Sequence, residues 1–216
     1  MKKAVLFDLD GVLIDSMPCH YQAWQKLFAR YGVQIEPDEV YAREGSRSAD
    51  MARLLLQDHP LDLTEAEIDK LVRQKSELYN QITRAEVFPG VVELIEELKR
   101  RQILLAIVTG TFLENMLKGV PLELYRQFNA VVTGGDVTQG KPQPEPYLKA
   151  AQKLALQAGE CVVIENAELG VQSARAAGMY CVAVTTTQSR EQLQQADRIV
   201  PDLFTVIDQI NEILTS

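Results

Sequence analysis

The sequence predicts an α/β protein: a parallel sheet with helices on both faces, and a separate lobe of helices inserted after the first strand. Three observations predict it. Short β-rich runs alternate with helical stretches through the second half of the chain, the pattern of a parallel sheet covered on both sides. The stretch from about residue 16 to residue 83 breaks that rhythm and reads as helix alone. The first strand ends in two carboxylates and a glycine, Asp8-Leu9-Asp10-Gly11, at the edge where open α/β sheets place their sites.

The elements follow in order. The apolar run from Val5 leads into Asp8 and Asp10, which fall on the same side of an extended backbone because side chains alternate. Gly11 then permits a sharp turn beside them. Met17, Tyr21, Trp24, Phe28 and Tyr31 recur at spacings of four and three, one face of a helix. Pro37 and Asp38 open a second helix and Ser48 a third. Thr64-Glu65-Ala66-Glu67 is a capping box for a fourth, whose apolar face runs Ile68, Leu71, Val72, Leu78, Tyr79 and Ile82. Strands are then expected at 103–108, 130–133, 161–165, 180–185 and 198–200. Helices are expected at 91–101, 113–118, 146–156, 169–177 and 203–214. Gly178 stands where a helix C-terminal glycine belongs. The division this predicts is a core of residues 1–15 and 84–216 and a helical cap of residues 16–83, joined by short crossings at 15–16 and 84–88.

Composition narrows the class. The chain of 216 residues is long enough for a sizeable core, and Leu, Ile and Val recur throughout. A net charge of −8 disfavours a general binder of nucleic acid or anionic membrane. Cys19, Cys161 and Cys181 are scattered and odd in number, so they read as reduced thiols rather than as a disulfide or metal framework. The start, Met1-Lys2-Lys3-Ala4, runs straight into a strand bearing acids, unlike a signal peptide. No stretch is apolar enough to span a bilayer. A cytoplasmic location is the expectation.

Polar residues recur at further strand ends. Thr109-Gly110-Thr111 offers hydroxyls and free N–H groups to a phosphoryl oxygen. Lys141, in Gly140-Lys141-Pro142 ahead of the helix containing Tyr147, offers positive charge to a dianionic transition state. Glu165-Asn166 offers oxygen donors. Each taken singly also suits an ordinary turn, cap or solvated lysine. Four such ends converging in one core make a site. Gly135-Asp136-Val137-Thr138-Gln139-Gly140-Lys141 imitates a phosphate-binding Walker loop, but Pro142 replaces the hydroxyl residue that magnesium requires there, so a P-loop NTPase is rejected. On the lobe's apolar faces, His20 and Lys75 are polar exceptions. Each fits either a satisfied or snorkelling core residue or one facing a polar cleft.

With these stations in place the chain resembles the haloacid dehalogenase superfamily, in its β-phosphoglucomutase-like branch with a helical cap. Asp8-Leu9-Asp10-Gly11-Val12-Leu13 with Asp15-Ser16, then Thr109, Lys141-Pro142 and Glu165-Asn166, match its four motifs in order, and Gly170 and Ala176-Ala177-Gly178 continue the last. The resemblance implies a Rossmann-like core and an aspartyl-phosphate mechanism. In it Asp8 is the nucleophile and Asp10 the acid and then the base. Thr109 and Lys141 hold the phosphoryl oxygens. Mg²⁺ binds Asp8, the backbone carbonyl of Asp10 and Asn166, and Glu165 orients the water on the metal. Asn166 replaces the family's usual aspartate, which implies weaker metal binding. His20 and Lys75 align with cap residues that time the protonation of Asp10. In the cap loop Arg43-Glu44-Gly45-Ser46-Arg47-Ser48, Arg47 lies near the arginine that grips a sugar bisphosphate. Glu44 beside Gly45 is an extra acid suited to pyrophosphate. With Gly110 and Thr111, these form the expected substrate-facing set. The reading is a Mg²⁺-dependent phosphohydrolase, monomeric, acting on a small phosphorylated metabolite. A sugar phosphomutase and an inorganic pyrophosphatase are the enzymatic alternatives, and a phosphate-sensing binding protein the non-enzymatic one.

Overall fold

In the computed structural model, residues 2–84 and 86–216 are described; Met1, and Ala85 within the second predicted crossing, lie outside the described residues. The first strand, β1 (Ala4–Phe7), is buried along its whole length. Its neighbours on the two sides are β4 (Leu104–Val108) and β6 (Cys161–Glu165), both parallel to it. Adding β5 (Ala130–Val132), β7 (Tyr180–Val184) and β8 (Arg198–Val200) gives a six-stranded sheet in the order β5-β4-β1-β6-β7-β8, parallel throughout. The chain winds outward from β1 in one direction and then in the other, so the strand order reverses at β1. In open α/β sheets the cleft at such a reversal is where ligands bind.

Alternation along β1 splits the core into two layers. Val5 and Phe7 pack with α5 (Val91–Arg100), α10 (Leu203–Asp208) and α11 (Ile210–Thr215), while Ala4 and Leu6 pack with α8 (Glu145–Lys153) and α9 (Glu168–Ala176). On the first face lies α6 (Leu113–Gly119), followed by a short α7 (Leu122–Tyr125) that the sequence did not suggest.

Between β1 and β4 the chain leaves the sheet through β2 (Ile14–Asp15) and returns through β3 (Glu86–Val87), which pair antiparallel as a two-stranded ribbon. Beyond it stand α1 (Met17–Ala29), α2 (Pro37–Tyr41), α3 (Ser48–Asp58) and α4 (Glu65–Ile82), closed on a core of Trp24, Phe28, Ile35, Leu55 and Leu71. The capping box at Thr64 is formed, its hydroxyl accepting from the Glu67 amide. No helix among the described residues is long and apolar enough to cross a membrane.

Three expectations need correcting. Tyr31 lies beyond the end of α1 and is 43% exposed, because the chain turns at Gly32 with φ of +74°. The helix expected over 146–156 runs Glu145–Lys153. Ala155 adopts a positive φ, and the turn there carries Leu154 and Leu156 onto the core layer. The helix expected over 203–214 breaks at Gln209, whose side-chain oxygen takes a hydrogen bond from Arg198.

Candidate active site

Parallel register sets the site. Phe7 pairs with both Ile107 and Ile164, so the next residues, Asp8, Val108 and Glu165, emerge together at the C-terminal edge. Lys141 reaches in from the loop before α8. Its ammonium donates to Asp8 Oδ1 at 2.5 Å, to Glu165 Oε1 at 2.6 Å and to the Val108 carbonyl at 3.3 Å. All three side chains are buried. Burial pushes the Asp8 carboxyl up to about 8, with Lys141 opposing and Glu165 and Asp10 adding to the rise. Burial disfavours the Lys141 ammonium, but Asp8 and then Glu165 outweigh it and hold its pKa above the usual lysine value.

Glu165 is where sequence and structure part. Its Oε1 accepts from Lys141 and, at 2.7 Å, from the Tyr147 hydroxyl. Its Oε2 accepts from the backbone N–H groups of Asn166 at 2.9 Å and Ala167 at 3.1 Å. Two donors on each oxygen fill its acceptor capacity. As drawn from sequence, Glu165 was a metal-side residue; the structure commits its carboxylate to Lys141, Tyr147 and the start of α9 instead.

Asp10 lies in a ring of donors. Ser16 Oγ is 2.5 Å and His20 Nε2 3.2 Å from Oδ1, while Thr109 and Thr111 hydroxyls lie 3.2 and 3.0 Å from Oδ2. Burial would raise its pKa, but His20, then Ser16 and Thr111, outweigh this and hold the carboxyl far below its usual range. Behind His20 stands Lys75, whose Nζ lies 2.6 Å from Nδ1. A lysine donating to Nδ1 leaves the imidazole proton on Nε2, facing Asp10. The lysine does not snorkel: it is 2% exposed, lodged over the rings of Trp24 and Tyr79. Burial lowers the pKa of His20, with Lys75 adding and Asp10 opposing.

Burial also lowers Lys75, from the ordinary 10.5 to about 8. Below pH 8 the folded protein carries the full cost of a buried ammonium. Between pH 8 and 10.5 the unfolded chain holds the proton that the folded one has released, so stability rises with pH. Lys75→Met is expected to stabilise the protein at pH 7 by on the order of 2–3 kcal/mol and to flatten that window. Urea midpoints at pH 7 and pH 10 check it; a less stable variant at pH 7 would overturn it.

The cap loop closes the cavity. Asp8, Asp10, His20, Trp24, Glu44 and Lys75 are among its lining residues. Glu44 is 2% exposed. Its Oε1 accepts from Asn166 Nδ2 at 2.7 Å and its Oε2 from the Thr187 hydroxyl at 2.6 Å. Burial holds its pKa well above the usual carboxylate value, with Thr187 and Asn166 opposing and the charges of Asp8 and Glu165 adding. Gly45, at φ +88°, brings the loop over the stem of Lys141. Gly110 and Thr111 also line the cavity.

Arg47, predicted to face the substrate, does not. It makes a two-pronged pair with Asp50 at 2.6 and 3.0 Å and donates to the carbonyls of Thr138 at 2.5 Å and Val137 at 3.3 Å. Asp50 stands one helical turn further on and captures the guanidinium, so Arg47 ties the cap to the loop before Lys141.

A divalent cation is tested by the donors present. Asn166 Oδ1 is buried without a hydrogen-bond partner. Asp8 and Asn166 follow the ends of the neighbouring strands β1 and β6, and a carboxylate with an amide oxygen is an oxygen-only donor set of the kind hard cations take. Among the described residues no group of three or more His, Cys, Asp or Glu is arranged to hold a metal, so an amide and a main-chain oxygen must contribute. The residues fit on those terms.

The sequence shows Ser16 as part of the first motif but not its contact with Asp10, and the segment after β7, Thr186-Thr187-Gln188, stands outside the motifs. The latter repeats the polar strand-end signature used for the other stations, so the signal was present.

Residues 5–184 match the family of haloacid dehalogenase-like hydrolases. The chain is 32% identical to the validoxylamine A 7'-phosphate phosphatase of Streptomyces hygroscopicus subsp. limoneus, over 95% of this chain and 96% of that one. It is 33% identical to hexitol phosphatase A of Escherichia coli K12, over 97% and 96%. Among solved structures it superposes on the β-phosphoglucomutase of Clostridium difficile with a TM-score of 0.88 at 27% identity, covering 100% of this chain and 98% of that one.

Proposed function

The chain belongs to the haloacid dehalogenase-like hydrolase family, and from that premise we propose that it is a phosphohydrolase acting on a small phosphorylated metabolite through an aspartyl-phosphate. The observation that carries this reading is the division of labour between the two strand-end carboxylates. Asp8 faces the cavity beside a buried ammonium, whereas Asp10 is wired to His20 and Lys75. In the proposed reaction Asp8 attacks phosphorus, and the bond to the leaving oxygen breaks as that oxygen takes a proton from Asp10. Water then attacks the aspartyl-phosphate, giving its proton back to Asp10 and returning Asp8 as a carboxylate. An alkoxide leaving group needs that acid, and the His20–Lys75 line gives Asp10 a route to a proton. Lys141 holds charge on the phosphoryl oxygens, and Thr109 positions them. Mg²⁺, held by Asp8, the main-chain carbonyl of Asp10 and Asn166 Oδ1, would supply Lewis-acid polarisation of the phosphoryl group when bound.

A monophosphate is favoured over a sugar bisphosphate. The arginines of the cap loop are engaged elsewhere, Arg43 with Asp58 and Arg47 with Asp50, so neither meets a second phosphate. A second reading, pyrophosphate hydrolysis, is favoured by one observation: Glu44 places an acid on the cavity wall. The test is phosphate release with Mg²⁺ from hexose 1- and 6-phosphates, hexitol phosphates and pyrophosphate, against an Asp8→Asn blank. Release from a sugar or polyol phosphate supports the first reading. Release from pyrophosphate alone, lost in Glu44→Ala, supports the second. No release above the blank overturns both.

Closure is testable at Gly110. A Cβ there would meet the Ser46 carbonyl oxygen at 2.6 Å and the Gly45 oxygen at 3.0 Å, both cap backbone. Gly110→Ala is expected to keep the melting temperature and to lower kcat/KM by about 10²-fold, because a cap held off by even 1 Å misplaces the leaving group. Unchanged kinetics would show that this closed arrangement is not the working one.

A further inference from the structure

In the polar segment leaving β7, the three consecutive side chains of Thr186, Thr187 and Gln188 each join the nucleophile turn or the cap to another part of the site. The Thr186 hydroxyl donates to the carbonyl of Gly11, in the turn that follows the two carboxylates, at 2.5 Å. The Thr187 hydroxyl donates to Glu44 Oε2 on the cap at 2.6 Å, and its oxygen accepts from Asn166 Nδ2 at 2.7 Å. Gln188 uses both ends of its amide. Its Oε1 accepts from the backbone N–H of Glu168 at the start of α9, at 2.7 Å, and its Nε2 donates to the carbonyl of Tyr41 at the end of α2, at 2.8 Å. Gln188 is only 5% exposed.

A buried amide with donor and acceptor both satisfied is a strongly oriented group. Here one end is fixed to the core and the other holds the cap. The chain joins the cap to the core through the two-residue strands β2 and β3, which leaves its resting angle to side-chain contacts: these, and those of Arg47 with the carbonyls of Val137 and Thr138. The contacts meet at the turn that bears Glu44, so they set where that acid stops over the cavity.

We propose that Thr187 and Gln188 are positioning residues for the transfer: they dock the cap turn at residues 41–46 on the core and so fix Glu44 and the closed cavity over Asp8. The proposal rests on the phosphotransfer reading above and adds to it which residues set the closed geometry. Gln188→Glu is the informative variant. A carboxylate still accepts from the Glu168 amide, but it cannot donate to the Tyr41 carbonyl and would face that oxygen with like charge. Thr187→Val removes the hydroxyl at nearly constant volume and severs the contact with Glu44 independently.

The test compares two substrates with Mg²⁺: the best sugar phosphate of the panel, and p-nitrophenyl phosphate, whose leaving group departs without a proton from Asp10. For either variant, kcat/KM for the sugar phosphate is expected to fall about tenfold, the equivalent of one lost hydrogen bond, mainly through KM. For p-nitrophenyl phosphate the fall is expected to be smaller. Equal losses on both substrates, or no loss on either, would overturn the proposal. Hydrogen–deuterium exchange of residues 39–46 decides it without turnover: faster exchange in Gln188→Glu than in the wild-type protein supports docking, and identical exchange overturns it. A wild-type protein that releases phosphate from neither substrate sinks the phosphotransfer reading, and the exchange experiment still decides the docking.

Discussion

Asp8→Asn is expected to abolish phosphate release while leaving a folded protein. The amide matches the carboxylate in shape, but its oxygen is too weak a nucleophile to displace an alkoxide from phosphorus. The loss is expected on the order of 10⁴-fold or more, as when a covalent nucleophile is removed elsewhere. Stability has no reason to fall. Burial pushes the Asp8 carboxyl up to about 8, with Lys141 opposing and Glu165 and Asp10 adding, so a neutral amide gives up the attraction to Lys141 together with the burial cost and the repulsion. Lys141 keeps Glu165 and the Val108 carbonyl. Phosphate release and a urea midpoint, taken on the same preparation, check both halves. Turnover within tenfold of wild type in the folded variant would mean that water attacks the phosphoryl group directly, and that Asp8 only binds.

Much of this site was legible in the sequence because it follows from strand geometry. Asp8 and Asp10 share a side by alternation. Thr109, Lys141 and Glu165 follow the strand ends that parallel register brings to one edge. The sheet itself was legible because fully buried strands read as continuous apolar runs. What failed to show were contacts made by the cap, which depend on how two packed units meet. Asn166 stood out as a departure, and its neutral amide suggested only a weaker metal site. In the structure its Nδ2 donates to Glu44, a residue 122 positions away. An aspartate there would put a carboxylate oxygen 2.7 Å from Glu44 Oε1, so in the closed form a gain in metal affinity would be set against direct repulsion. Arg47 misled for a similar reason. In the cap loop it stands near the arginine that grips a sugar bisphosphate, but Asp50 and the carbonyls of Val137 and Thr138 turn it away from the cavity. Glu165 was placed rightly and given the wrong neighbours, since nothing in the sequence shows a tyrosine from α8 arriving at its carboxylate.

Gly170→Ala is expected to be strongly destabilising, against its local propensity. Gly170 lies inside α9, where alanine should gain about 1 kcal/mol over glycine. A Cβ at this position, however, would sit 1.7 Å from Glu165 Oε1 and 2.0 Å from its Cδ. The carboxylate cannot step aside, because Lys141, Tyr147 and the N–H groups of Asn166 and Ala167 all hold it. Nor can α9 shift freely, since its first turn is pinned by Gln188 on Glu168. Relief must break part of a buried charged network or move the helix off the sheet, at a cost on the order of 3–5 kcal/mol. That is a large share of the roughly 5–15 kcal/mol that holds a domain folded. Turnover should fall further than the folded fraction does, because a displaced Glu165 leaves Lys141 without the anchor that aims it at Asp8. Adding Glu165→Asp, which withdraws the carboxylate by one methylene, should recover stability more than activity. Urea midpoints and kcat of the single and double variants check this order. A Gly170→Ala protein as stable as wild type would mean that the carboxylate of Glu165 is not packed against α9, and that the anchor for Lys141 must be sought elsewhere.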